Sequence, residues 1–165
     1  DRKLRIRRPE RRAVDTKMDM TIRTGLKRFL LIDRILRVDA GAIEGVRAFS
    51  NAPVFLGIEA MAQLGALHVR HLCGFEQHAF LLKINQCVLP RTHMLNGSFL
   101  LHGNLTGRSD SAFTCALSAE QNGQPLLEAE CIFAVVPYDR AFQKEMLKNH
   151  YQEVFSCLKN GSPAS

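Results

Sequence analysis

The sequence predicts an α+β fold: an antiparallel sheet wrapped around one long apolar helix, plus a C-terminal amphipathic helix. Three observations lead there. Between Val54 and Leu67 only Glu59 and Gln63 are polar, and a helix apolar on every side must be enclosed by other structure. Four strand-like segments with short turn sequences between them follow that helix, which reads as an antiparallel meander. Near the end of the chain, Leu147, Tyr151, Val154 and Leu158 recur at helical spacing, the stripe of a helix with one packed face.

The elements follow in chain order. Residues 1–20 form a basic tail: five of the six excess positive charges of the 165-residue chain lie in its first seventeen residues. The rest of the chain is therefore near neutral, and the tail has no aromatic residue interleaved to stack on bases, so no nucleic-acid partner is expected. A domain is expected over 21–138. It opens with FLLIDRILRV from Phe29 and with AIEGVRAF over 42–49, where the apolar residues alternate and Gly45 suits a bulge.

Ser50 or Asn51 then serves as a helix cap, with Pro53 near the first helical position, where its missing N–H costs nothing. The helix runs to about Leu72 and ends at Gly74, with His68, Arg70 and His71 in its last turns. Strands are expected over 79–89, 98–107, 112–120 and 125–136. Asn122-Gly123 marks a type I′ hairpin, because both central residues of that turn need positive φ. A C-terminal helix over 139–160, capped by Asp139 and ended by Gly161, leaves a short tail at 161–165.

Composition excludes several classes. No apolar run reaches the length of a membrane span. The start of the chain has no apolar stretch of the kind a secretory signal needs. Five cysteines, an odd number, occur without a C-x-x-C or a His/Cys cluster. No structural metal and no disulfide framework is expected, and a reducing, cytoplasmic setting follows.

Three segments carry a resemblance. Phe29-Leu30-Leu31-Ile32-Asp33-Arg34-Ile35, then Glu59-Ala60-Met61-Ala62-Gln63, then LLEAECIFAV over 126–135 are similar, in that order, to motifs of the hotdog-fold 3-hydroxyacyl-ACP (acyl carrier protein) dehydratases. The likeness covers about 26–136. It implies a homodimer or higher oligomer whose sheets pair edge to edge, with the acyl chain in a tunnel between subunits. It implies action on, or binding of, acyl thioesters of acyl carrier protein or coenzyme A, in fatty-acid-type or polyketide-type synthesis, with no cofactor.

The resemblance puts Glu59 at the family's acid position. A carboxyl on an apolar helix is expected to be desolvated, with a raised pKa. Gln63, one turn later on the same face, would orient it or a bound water, or make a plain structural hydrogen bond. The helix start, Pro53, Val54 and Gly57, would meet the thioester carbonyl, with Gly57 allowing either substrate or a packed neighbour to approach closely.

One departure is plain. The family carries a loop with its catalytic histidine before the helix, and here Phe49 runs through Ser50-Asn51-Ala52-Pro53 straight into Val54. Dehydration needs both a base and an acid. His68 and His71 are too far along the helix to join Glu59, and His93 and His102 lack the spacing of a catalytic pair. Two further readings therefore stand beside dehydration. One is thioester hydrolysis with Glu59 alone. The other is a non-catalytic subunit that binds acyl chains or a carrier protein, or partners an active relative. An acidic carrier would meet basic residues at the tunnel mouth; Arg70, Lys83, Arg91 and Arg108 lie at expected turns or element ends, where scattered surface charges are ordinary, and none is assigned as a site.

Overall fold

The computed structural model describes residues 30–139 and 142–161. The basic tail, Phe29 of the first motif and the last four residues lie outside that range.

Strands β1 (Arg34–Val38) and β2 (Ala42–Pro53) lead into helix α1 (Val54–Leu72). Strands β3 (Gln77–Val88), β4 (Met94–Arg108), β5 (Ala112–Gln121) and β6 (Gln124–Pro137) follow, then helix α2 (Lys144–Asn160). The six strands form one sheet in the order β1-β2-β4-β5-β6-β3, every neighbouring pair antiparallel.

Alternation sets the inner face of the sheet. Phe113, Cys115 and Leu117 of β5 are buried, as are Ala129, Cys131 and Phe133 of β6. The register places them directly opposite one another, Cys115 across from Cys131 and Phe113 across from Phe133. Burial pushes the thiols up, Cys115 to about 12 and Cys131 to about 11. The β5–β6 hairpin turns on Asn122 and Gly123 with φ of 52° and 75°, as the dipeptide predicts.

The expected four-strand meander holds only for β4, β5 and β6. β3 pairs with β6 at the far edge, and its place beside β4 is taken by β2. The same pairing overturns the expected cap. Ser50 to Pro53 belong to β2, with Ala52 opposite Leu95 and Pro53 opposite Met94. The Asn51 N–H donates to Asn96 Oδ1. Pro53 occupies the cap position with no side-chain hydrogen bond. Pairing with β4 claims the residues that would otherwise cap the helix, so strand runs into helix without a loop.

α1 packs on β2 through β6. It buries Ala60, Met61, Leu64 and Leu67 at 3% exposure or less. Gly65 lets it sit close: a Cβ there would lie 2.6 Å from Phe133 Cζ. The helix is not enclosed on every side, contrary to its composition. Phe55 is 63% exposed and Glu59 is exposed as well.

α2 packs against β1 and buries Phe155 and Leu158. The Phe155 ring stacks on His71 of α1, with centroids 5.0 Å apart. Gly161 ends this helix in the left-handed region, at φ 70°. Asp139 instead caps the turn before it, accepting from the Phe142 N–H at 3.0 Å, and the helix itself begins at Lys144.

Because the Phe133 ring fills the space beside Gly65, Gly65→Val should destabilise the fold by about 1–3 kcal/mol through overpacking. Chemical denaturation of the two proteins measures this; equal midpoints would mean the contact is not tight.

Candidate functional site

The open side of α1 forms the floor of a cleft of about 320 Å³. Glu59, Ala62, Gln63, Ala66, Leu67 and Arg70 line it. Their spacing of three and four residues is one face of a helix. The β3 segment from His78 to Leu81 forms one wall, and His150, Tyr151 and Val154 of α2 form another. A second apolar hollow shares Glu59, Ala62 and Leu81 and extends to Phe55 and Ile84. Glu59 thus stands where the two hollows meet.

Gln63 reaches Glu59 one turn away. Its Nε2 donates to Glu59 Oε1 at 3.0 Å, and its Oε1 accepts from the Leu31 N–H at 2.8 Å. The amide is held from both ends, so the carboxylate is oriented by a fixed partner. The expected desolvation of Glu59 is not met in the single chain, because the groove beside it is open to solvent.

The helix start is used differently from expectation. Pro53 has no N–H, and the N–H of Val54 donates to the His93 carbonyl at 3.2 Å. Gly57 faces inward: a Cβ there would lie 2.7 Å from Leu95 and 3.1 Å from Leu127. Its missing side chain therefore serves packing. By helix geometry the N–H groups of Phe55 and Leu56 have no intrahelical acceptor, and no described turn or loop hydrogen bond uses them.

The histidines separate by role. His68 is fully buried, with Nε2 2.8 Å from the Asp39 carbonyl. A carbonyl only accepts, so Nε2 carries the proton. His102 lies between Glu44 and Glu120, at 3.8 and 3.4 Å. His93 is exposed and joined through its backbone to the start of α1.

Sequence reasoning missed His78 and His150, which line the cleft. The expected strand begins at Ala79, one residue past His78, and His150 lies off the apolar stripe of α2. Arg70 reads in the sequence as a surface charge at a helix end, yet it is 6% exposed. Its guanidinium carbon lies 3.8 Å from the Tyr151 ring centroid, and burial pulls its pKa below the usual value.

Among the described residues no group of three or more His, Cys, Asp or Glu is placed to hold a metal ion. No described helix is long and apolar enough to cross a membrane.

No protein-family model and no curated protein sequence matches the chain. Solved structures do. A mutant thioesterase from Pseudomonas aeruginosa superposes with a TM-score of 0.57 at 16% identity, covering 68% of this chain and 86% of its own. A hypothetical thioesterase with coenzyme A from Streptococcus pneumoniae gives 0.54 at 13%, covering 63% and 85%. The dehydratase heterocomplex ApeI:P from Xenorhabdus doucetiae gives 0.57 at 13%, covering 72% and 90%. At such identities the likeness is one of fold: the chain has the hotdog arrangement that its motifs imply.

α2 forms one wall of the cleft, and Glu76 ties it down. Glu76 pairs with Lys144 at 2.9 Å and with Lys148, and these hydrogen bonds lower its pKa from 4.5 to about 2. A depressed carboxylate contributes stability that is present above about pH 4.5 and lost as pH falls through about 2. The pair is exposed, so salt screens it. Acid titration of the melting temperature should therefore show a smaller drop across that window in Glu76→Gln than in the wild type at low salt. Identical curves would mean the pairs do not hold α2.

Proposed function

We propose that the chain acts on acyl thioesters at the Glu59 face of α1. The observation that carries this reading is the Glu59–Gln63 pair: a carboxylate oriented by a doubly held amide, in an apolar cleft, about one turn past two unclaimed helix N–H groups. Hydrolysis of a thioester needs a base for water and donors for the developing oxyanion. Glu59 supplies the first, and the N–H groups of Phe55 and Leu56 supply the second. The thioesterases among the structural neighbours support this assignment. Acyl-thioester hydrolysis, from coenzyme A or acyl carrier protein, is the reaction this geometry supports best, and it calls for no cofactor.

One observation favours a second reading, dehydration of 3-hydroxyacyl thioesters in fatty-acid-type or polyketide-type synthesis. The His93 carbonyl accepts from the first N–H of α1, which brings a histidine to the helix start by another route than the family's loop. His93 would take the α-proton and Glu59 would protonate the leaving hydroxyl. The heterocomplex neighbour is named as a dehydratase. An odd number of cysteines with no cluster supports a reducing, cytoplasmic setting.

The working unit we infer is a homodimer or larger assembly. β3 is an edge strand whose residues from Leu81 to Val88 are all exposed, including Leu82 at 60% and Val88 at 49%. A long edge strand that exposes Leu81, Leu82, Ile84 and Val88 invites another strand. The opposite edge strand, β1, is packed by α2. Pairing of β3 with β3 of a second copy would also cover Phe55 and desolvate Glu59.

Two measurements follow. Glu59→Gln should lower turnover of acyl-N-acetylcysteamine thioesters by about 100-fold or more with an unchanged melting temperature. A wild-type rate in that variant would remove Glu59 from the mechanism and favour a binding or partner subunit. Light scattering should give about twice 18.5 kDa or more, and Leu82→Lys should shift it toward the monomer. A clean monomer in the wild type would sink the shared site.

A further inference from the structure

We propose that the inner end of the cleft is a carboxylate site, built from Arg70 and His78, for one end of an aliphatic chain. Arg70 is 94% buried by its exposed fraction of 6%. One terminal nitrogen donates to the Ala79 carbonyl, and the guanidinium lies over Tyr151. Its Nε is buried with no hydrogen-bond partner. No described carboxylate forms an ion pair with it. His78, which lines the same cleft, has its Nδ1 buried and unpartnered too.

Arg70 and His78 both line the cleft, and an Nε without an acceptor on a permanent cation is the mark of an absent partner; the His78 Nδ1 donates to that partner in the tautomer that protonates it. The arginine fork matches a carboxylate, which takes two donors at once. Between this end and Glu59 the floor is Ala62, Gln63, Ala66 and Leu67; with the Gln63 amide taken up by Glu59 and the Leu31 N–H, the small and apolar residues are left to meet methylene groups. Charge sets the direction of the ligand. Glu59 repels an anion at the outer end and Arg70 attracts it at the inner end. The two lie eleven residues apart on one helix, about 16 Å at helical rise.

Two sources share this chemistry. One is a free fatty acid with its carboxylate inward. The other is an acyl thioester carrying a second carboxylate at its far end, with the thioester at Glu59. This second source rests on the thioester reading above, whereas the carboxylate site does not.

The test uses the full chain and four probes: decanoate, decanol, and the N-acetylcysteamine monothioesters of sebacic and of decanoic acid. By calorimetry, decanoate should bind the wild type at least about tenfold tighter than decanol, in line with a charge-assisted pair. Arg70→Met should bring that ratio to about one. Its melting temperature without ligand should equal or exceed that of the wild type, because an unpaired buried charge has been removed. Equal binding of decanoate and decanol, or a preference kept in Arg70→Met, overturns the site.

If Arg70→Met does not fold, Ala66→Leu fills the floor while keeping the arginine. It should lose decanoate affinity about tenfold, and undiminished affinity overturns the site. The thioester arms separate the two sources. A preference for the sebacoyl over the decanoyl thioester that vanishes in Arg70→Met identifies the dicarboxylic acyl group. Binding of decanoate with neither thioester bound keeps the site and removes the thioester reading. Turnover of both thioesters at equal rates, with no decanoate preference, removes the site and keeps that reading.

Discussion

The close seating of α1 on the sheet is the constraint on which the remaining geometry depends. Gly57 against Leu95 and Leu127, and Gly65 against Phe133, bring the helix backbone to the sheet with no side chain between. That contact fixes the rotation of the helix about its own axis. Once the glycines face inward, the stripe from Glu59 through Gln63 to Arg70 has to face the other way. The candidate site is thus placed by two glycines whose missing side chains serve packing.

α2 turns that outward stripe into a cleft. It brings Tyr151 over Arg70 and Phe155 onto His71, and it is tied to Glu76 by two lysines. Without α2, Arg70 would lie on an open helix face, where a cation is ordinarily solvated. With it, Arg70 is dry, and a group that is unremarkable on a surface becomes an energetic liability unless something pairs with it. The two ends of α1 therefore differ in kind. The outer end is wet and negative, and the inner end is dry and positive.

Much of the fold was legible in the sequence. The long apolar helix, the Asn122-Gly123 hairpin and the alternating strands are local patterns, and local patterns survive folding. The position of β3 was not legible, because which edge a strand joins is decided by pairing energies across the whole sheet. The supposed cap at Ser50 and Asn51 failed for the same reason, since β4 claims those residues. At the site, the helical spacing of Glu59 and Gln63 announced their contact. Arg70 was misread as a surface charge because its burial is the work of a helix some eighty residues later in the chain. His78 and His150 had no signal at all, for each joins the cleft only through tertiary packing.

The paired thiols of the inner sheet have a practical side. Cys115 and Cys131 face each other across β5 and β6, buried and held far above the range where a thiol ionises at neutral pH. Only the thiolate attacks an alkylating reagent, so these two positions stay chemically silent while the sheet is closed. Cys87, by contrast, sits exposed on the open β3 edge. The chain carries its own pair of clocks: one thiol that answers to whatever covers the edge strand, and two that react only when the core comes apart.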